Sequence, residues 1–101
     1  MKRKPLTIKL LHYSSATRRW HADPRSTYTV LDAEIHGDGN IVVKCKTVDN
    51  QEIMYNFHSH TSGLWRIGHK DYDVRWDDVR LEFYKDIQNR LTSGILESLN
   101  G

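Results

Sequence analysis

The chain has one cysteine, Cys45, in 101 residues, so no internal disulfide can staple it and the fold must rest on burial. That usage fits a reducing compartment, and a cytoplasmic location is expected. Long apolar runs are missing too. Ile41–Val43 and Leu10–Leu11 fall far short of the roughly 18 residues of a membrane helix, so no membrane partner is expected. The charged opening Lys2, Arg3, Lys4 is followed by Pro5, Thr7, Lys9, His12 and Ser14, which break the apolar stretch a signal peptide requires. No internal repeat, low-complexity run or glycine–serine linker occurs. The two prolines, Pro5 and Pro24, fit a strand entrance and a loop, where a missing N–H is tolerated. A single domain over 1–101 follows, because two cores would each be too small to hold.

Against these absences stand 38% apolar residues and ten aromatics, enough to build a modest core and too many for a disordered chain. The net charge is only +2, but it is unevenly spread. Residues 1–31 carry seven basic groups against Asp23 alone, a net +6, while the remainder carries eight basic and twelve acidic groups, a net −4. Such a division can present a positive face to phosphates or to an acidic protein, unless folding brings the two signs together.

Hydrophobic alternation makes the middle of the chain legible. Leu6–Tyr13 reads as a first strand with Ile8 and Leu10 on one face, and Ser14–Arg25, which shows neither period, reads as a long connection. Thr27, Thr29, Leu31, Ala33 and Ile35 alternate with Tyr28, Val30, Asp32, Glu34 and His36, which predicts a half-buried strand with the odd-numbered residues inward. Gly37-Asp38-Gly39 predicts a hairpin. Pairing Ile35 with Ile41 turns Ile41, Val43, Cys45 and Thr47 inward and sets Asp32 opposite Lys44. A turn at Asp49-Asn50-Gln51 returns the chain through Ile53, Tyr55 and Phe57, with Cys45 opposite Tyr55. Leu64–Ile67 and Tyr72–Trp76 predict a further hairpin about Gly68–Asp71. From Asp77 on, Val79, Phe83, Ile87, Leu91 and Ile95 recur every four residues, the period of a helix, with Asp77 and Asp78 at its positive end. Gly94 marks an end or a break in it. The expected fold is α+β: a curved antiparallel sheet of five or six strands, closing toward a small SH3-like barrel, with one long C-terminal helix.

Three groups of residues could carry function. In Arg18-Arg19-Trp20-His21, guanidinium forks suit phosphate oxygens and an indole can stack on an unpaired base. Arg25, together with Lys44 and Lys46 on the outward face of a strand, would extend this basic surface. The competing reading folds Trp20 back over a core edge. Off the main stripe of the helix, Leu81, Tyr84, Gln88 and Leu96 form a second flank that could meet another protein or a second copy of the chain, giving a homodimer. A broad core-facing stripe is the alternative. His58 and His60, two apart in a strand, point to one side and could share a divalent metal with Asp71, leaving a place for water. Glu34 on the same outward face could act as base on that water.

His58-Ser59-His60, followed eleven residues later by Asp71, resembles the zinc signature of the JAMM (MPN-type) deubiquitinase-like metallopeptidases over some fourteen residues. Thr61 and Gly68 stand where that family has Pro and Ser. The resemblance implies a zinc hydrolase using His58, His60, Asp71 and Glu34. No phosphate loop is present, because Gly37-Asp38-Gly39 lacks the further glycine and lysine. Cys45, inward at a strand centre, reads as inert packing. The reading that follows is a non-catalytic binding or regulatory module, without cofactor, that engages nucleic acid or a nucleic-acid-handling complex. The alternatives are a protein-binding adaptor or inhibitor, and the zinc hydrolase.

Overall fold

The computed structural model describes residues 5–58 and 63–100, the last seven as backbone only. Six strands precede one helix: β1 (Thr7–Ser14), β2 (Arg19–Ile35), β3 (Ile41–Lys46), β4 (Glu52–Phe57), β5 (Leu64–Ile67), β6 (Lys70–Asp73) and α1 (Asp77–Asn100). They form one antiparallel sheet in the order β4-β3-β2-β1-β5-β6. The fold is α+β as expected, but the sheet stays open, with β4 and β6 as its edges.

The sheet is nonetheless strongly bent. Strands lie about 4.8 Å apart, so in a flat sheet β4 and β5, four places apart, would be separated by about 19 Å. Instead the rings of Tyr55 and Phe57 on β4 meet Trp65 on β5 at centroid distances of 5.0 and 5.1 Å. The helix packs into this concavity: Phe83 lies 5.1 Å from Phe57 and 5.5 Å from Tyr72, both measured between ring centroids. Phe83, Ile87, Val43, Cys45, Trp65, Ile67 and Val74 are fully buried there. Aromatic pairs of this kind add about 0.5–1.5 kcal/mol each beyond their buried area. The Gln88 side-chain amide donates to the Ala33 carbonyl, and the Tyr72 hydroxyl donates to Asp86 at 2.7 Å. These bonds tie the helix to β2 and β6. Gln88 and the half-buried Tyr84 therefore belong to the sheet-facing side of the helix rather than to a free flank, and among the described side chains of the proposed second flank only Leu81 is exposed. Leu96 lies outside the described side chains. The helix runs through Gly94 without a break.

Two irregularities in β2 correct the expected faces. Val30 pairs with Cys45 and Asp32 with Lys44, so Leu31 is an extra residue with no partner of its own. A bulge of this kind switches the side to which the following residues point. Hence Tyr28 and Val30 turn inward before it and Ala33 after it, while Leu31 is 38% exposed. Thr27 and Thr29 are not the inward pair. Ile35, though it pairs with Ile41 as expected, is also exposed. The second irregularity lies between Ala22 and Thr27, where Asp23-Pro24-Arg25-Ser26 loops out against Leu10. Asp23 accepts from the Arg25 N–H at 2.8 Å, and Pro24 occupies a place where no ladder donor is needed.

The 36–40 turn closes with Gly39 donating to the His36 carbonyl and its own φ at 86°. In the next turn Thr47 pairs with Gln51 through Asn50 at φ 66°. That sets Cys45 opposite Ile53 and Val43 opposite Tyr55, two places from the expected register. Because side chains alternate with period two, the slip leaves the inward set unchanged.

Candidate nucleic-acid interface

The segment expected to be a connection is in fact a β-ribbon. β1 and β2 continue past the body of the sheet, pairing Leu11 with Ala22, His12 with His21, Tyr13 with Trp20 and Ser14 with Arg19. The turn between them is Ser15–Arg18, with Arg18 in the left-handed region at φ 55°. The ribbon shows no hydrophobic period because almost none of it is buried: residues 15–22 are all exposed. Cross-strand contacts hold it instead. The Tyr13 and Trp20 rings lie 5.5 Å apart and stay 55% and 48% exposed. Thr17 shares a hydrogen bond with His21 at 2.7 Å, and His12 shares one with Ser26 at 2.9 Å. Trp20 thus does not fold back into the core.

Arg18, Arg19 and Arg25 are exposed along this ribbon, with Trp20 and His21 among them. Lys44 and Lys46 pair with Asp32 and Thr29 on β2, and Thr29 pairs with Thr7, six residues along β1 from the Tyr13 that faces Trp20, or about 20 Å at 3.3 Å per residue. They share the outward face of the sheet with Trp20 but stand well away from it.

A cleft of about 460 Å³ opens beside the ribbon, lined by Trp20, Gly63, Leu64, Asp73 and Arg75. Directly paired residues of antiparallel strands share a face. The pairs Leu11–Ala22, Leu11–Leu64 and Leu64–Asp73 therefore place this cleft across β2, β1, β5 and β6 on the sheet side opposite the core. Leu11, only 2% exposed although outside the main core cluster, belongs to that side. Arg75 grips Asp73 through Nε at 2.8 Å and Nη2 at 2.5 Å, and this fork holds the Asp73 carboxyl below its usual range. Gly63 has φ 144°, and a Cβ there would come within 2.9 Å of the Leu10 side chain. Sequence reasoning found Trp20 but missed Leu64, Asp73 and Arg75, since nothing in their spacing links them to residue 20.

Of the residues proposed for metal, the described ones have separate neighbours. Asp71 on β6 is held by Arg66, with Nε at 2.7 Å from the carboxylate. His58, at the end of β4, lines a different cleft with Asp38, Asn40, Asp77 and Arg80. Glu34 lies 3.8 Å from His36. Ser59 and His60 fall outside the described residues, and among the described residues no three His, Cys, Asp or Glu side chains are placed to hold a metal ion. Cys45 is buried, and burial pushes its thiol up to about 11, far from a reactive thiolate.

Fold and surface together define a small α+β domain with an open, curved sheet and a projecting basic ribbon. Among the described residues no helix is long and apolar enough to cross a membrane. Comparison with protein-family models, with curated proteins and with solved structures finds no match.

Proposed function

We propose that the protein is a non-catalytic binding module that engages nucleic acid, alone or within a nucleic-acid-handling complex, through the β1–β2 ribbon. The observation that carries this reading is the exposed Tyr13–Trp20 pair set among Arg18, Arg19 and Arg25 on a ribbon that buries almost nothing. The pair braces the ribbon yet leaves about half of each ring open to a ligand. Arginine forks bind phosphate oxygens while aromatic faces accept bases, so the two residue types serve one ligand. Each phosphate contact contributes a salt slope of about −0.7 on single strands, so three arginines predict a slope near −2 in a plot of log affinity against log salt. Titration of single- and double-stranded oligonucleotides at several salt concentrations tests this. Arg18→Ala with Arg19→Ala should flatten the slope by about 1.4. Failure of every oligonucleotide to bind at low salt removes nucleic acid as the partner.

A second reading, an adaptor or inhibitor that docks on a protein, draws on Leu31, Ile35, Val48 and Met54, exposed apolar side chains of the β2–β4 half. A stoichiometric partner that co-purifies and survives nuclease treatment selects it over the first.

A further inference from the structure

We infer that the cleft beside Trp20 receives one unpaired nucleobase of a single-stranded nucleic acid, stacked on the indole, while basic side chains on either side follow the backbone. The inference rests on the nucleic-acid reading and narrows it from charge to a base-binding subsite.

Three features carry it. The first is the shape and lining of the cleft: about 460 Å³, with an indole as one wall, Leu64 at its side, and the Asp73–Arg75 pair at its polar end. Sites for small flat ligands combine apolar walls with a few fixed polar groups in this manner. A base also presents both donors and acceptors at its edge, and the Asp73–Arg75 pair offers both in return. The two carboxylate oxygens can accept, and Arg75 Nη1, outside the fork to Asp73, can donate.

The second is the position of the charges. Arg18 stands at the ribbon turn before Trp20, whereas Arg19, paired with Ser14, points to the other face of the ribbon. Lys9 lies on the same side of β1 as Leu11, by the pairs Lys9–Arg66 and Leu11–Leu64, two residues or about 7 Å along the strand. Cations therefore stand on both sides of the cleft, as a strand passing over Trp20 requires. The third is accessibility. Inside a duplex both faces of a base are covered by its stacked neighbours, so an indole fixed on a sheet can stack only on a base already unpaired.

The experiment reads Trp20 fluorescence in a Trp76→Phe background, because Trp76 is exposed and would respond as well, whereas Trp65 is fully buried. Oligo(dA), oligo(dT) and oligo(rA) of about 15 nucleotides, the dA–dT duplex, and a proline-rich peptide are titrated at one salt concentration. The single strands are expected to quench Trp20, with oligo(dA) bound more tightly than oligo(dT), since a purine offers the larger stacking face. Trp20→Ala should weaken oligo(dA) binding about tenfold, with its thermal midpoint confirming that the fold persists. Binding of oligonucleotides with Trp20→Ala as tight as the wild type, or quenching by the duplex as strong as by the single strands, overturns the base subsite but leaves the nucleic-acid reading standing. No binding of any oligonucleotide at low salt overturns both, and quenching by the proline-rich peptide alone assigns the cleft to a protein ligand.

Discussion

The two ends of β2 are parts of one continuous strand held in different ways. From Tyr28 to Ala33 it lies over the core, and Tyr28, Val30 and Ala33 pack inward against Trp65 and its neighbours. From Arg19 to Ala22 it is exposed on both faces and held by its ladder to β1 and by side-chain pairs such as Tyr13–Trp20. Burial decides the stability of the first end, whereas the second end is free to carry side chains that stability does not need. Binding residues are therefore sought on the ribbon, and folding residues inside the bend of the sheet.

Mutations of paired kind at the two ends test that division. Trp65→Ala, which empties the centre of the aromatic cluster, should cost about 3–5 kcal/mol, read by denaturant titration. Trp20→Ala should cost less than about 1 kcal/mol. Comparable losses at the two sites would mean that the ribbon is part of the core's cooperative unit.

The buried end should also be the one that fails in alkali. Burial raises Cys45 to about 11, and burial with the bond to Asp86 raises Tyr72 to about 12. Both folded pKa values lie above their unfolded ones, so the folded state binds more protons in the interval between. The stabilisation is complete below about pH 9 and is lost as the pH climbs toward 11. For Cys45 the loss is at most about 2–3 kcal/mol, from two pKa units at 1.36 kcal/mol each. Thermal midpoints at pH 7, 9 and 10.5 should fall accordingly, and the fall should be shallower in Cys45→Ala. A pH-independent midpoint would show that the thiol is not sealed in the core.

The smallest effect expected is a gain. Arg18 holds φ 55° at the ribbon turn, a conformation glycine adopts without strain, so Arg18→Gly should raise stability by up to about 1 kcal/mol. It should at the same time weaken oligonucleotide binding, measured by the same salt titration. Opposite signs in the two assays would separate what the turn needs from what the ligand needs. A loss of stability would instead show that the Arg18 side chain supports the ribbon.

How much of this was legible follows from burial. The strands Ile41–Lys46 and Glu52–Phe57 and the stripe through Phe83 and Ile87 each have one wet and one dry face, so their periods stand out in the residues. The pairing of Asp32 with Lys44 could be read from charge complementarity. Arg19–Arg25 could not be read as strand, because a ribbon wet on both faces has no reason to alternate. Leu31 misled for another reason: a bulge adds one residue without any change in composition, so unbroken alternation gave the wrong side for Thr27 and Thr29.

Composition and periodicity alone determined that the chain folds as α+β without disulfides, where its meander and helix lie, and that Arg18-Arg19-Trp20 was worth attention. Those properties depend on neighbours within a few residues, for which strand and helix periods are sufficient guides. Only the tertiary structure decided that the sheet bends far enough for β4 to touch β5 without closing, that Trp20 stands in solvent, and that Leu64, Asp73 and Arg75 join it around one cleft. Contacts between residues fifty places apart depend on sheet order and curvature, which arise when the whole apolar surface is packed at once and leave no mark at any single position.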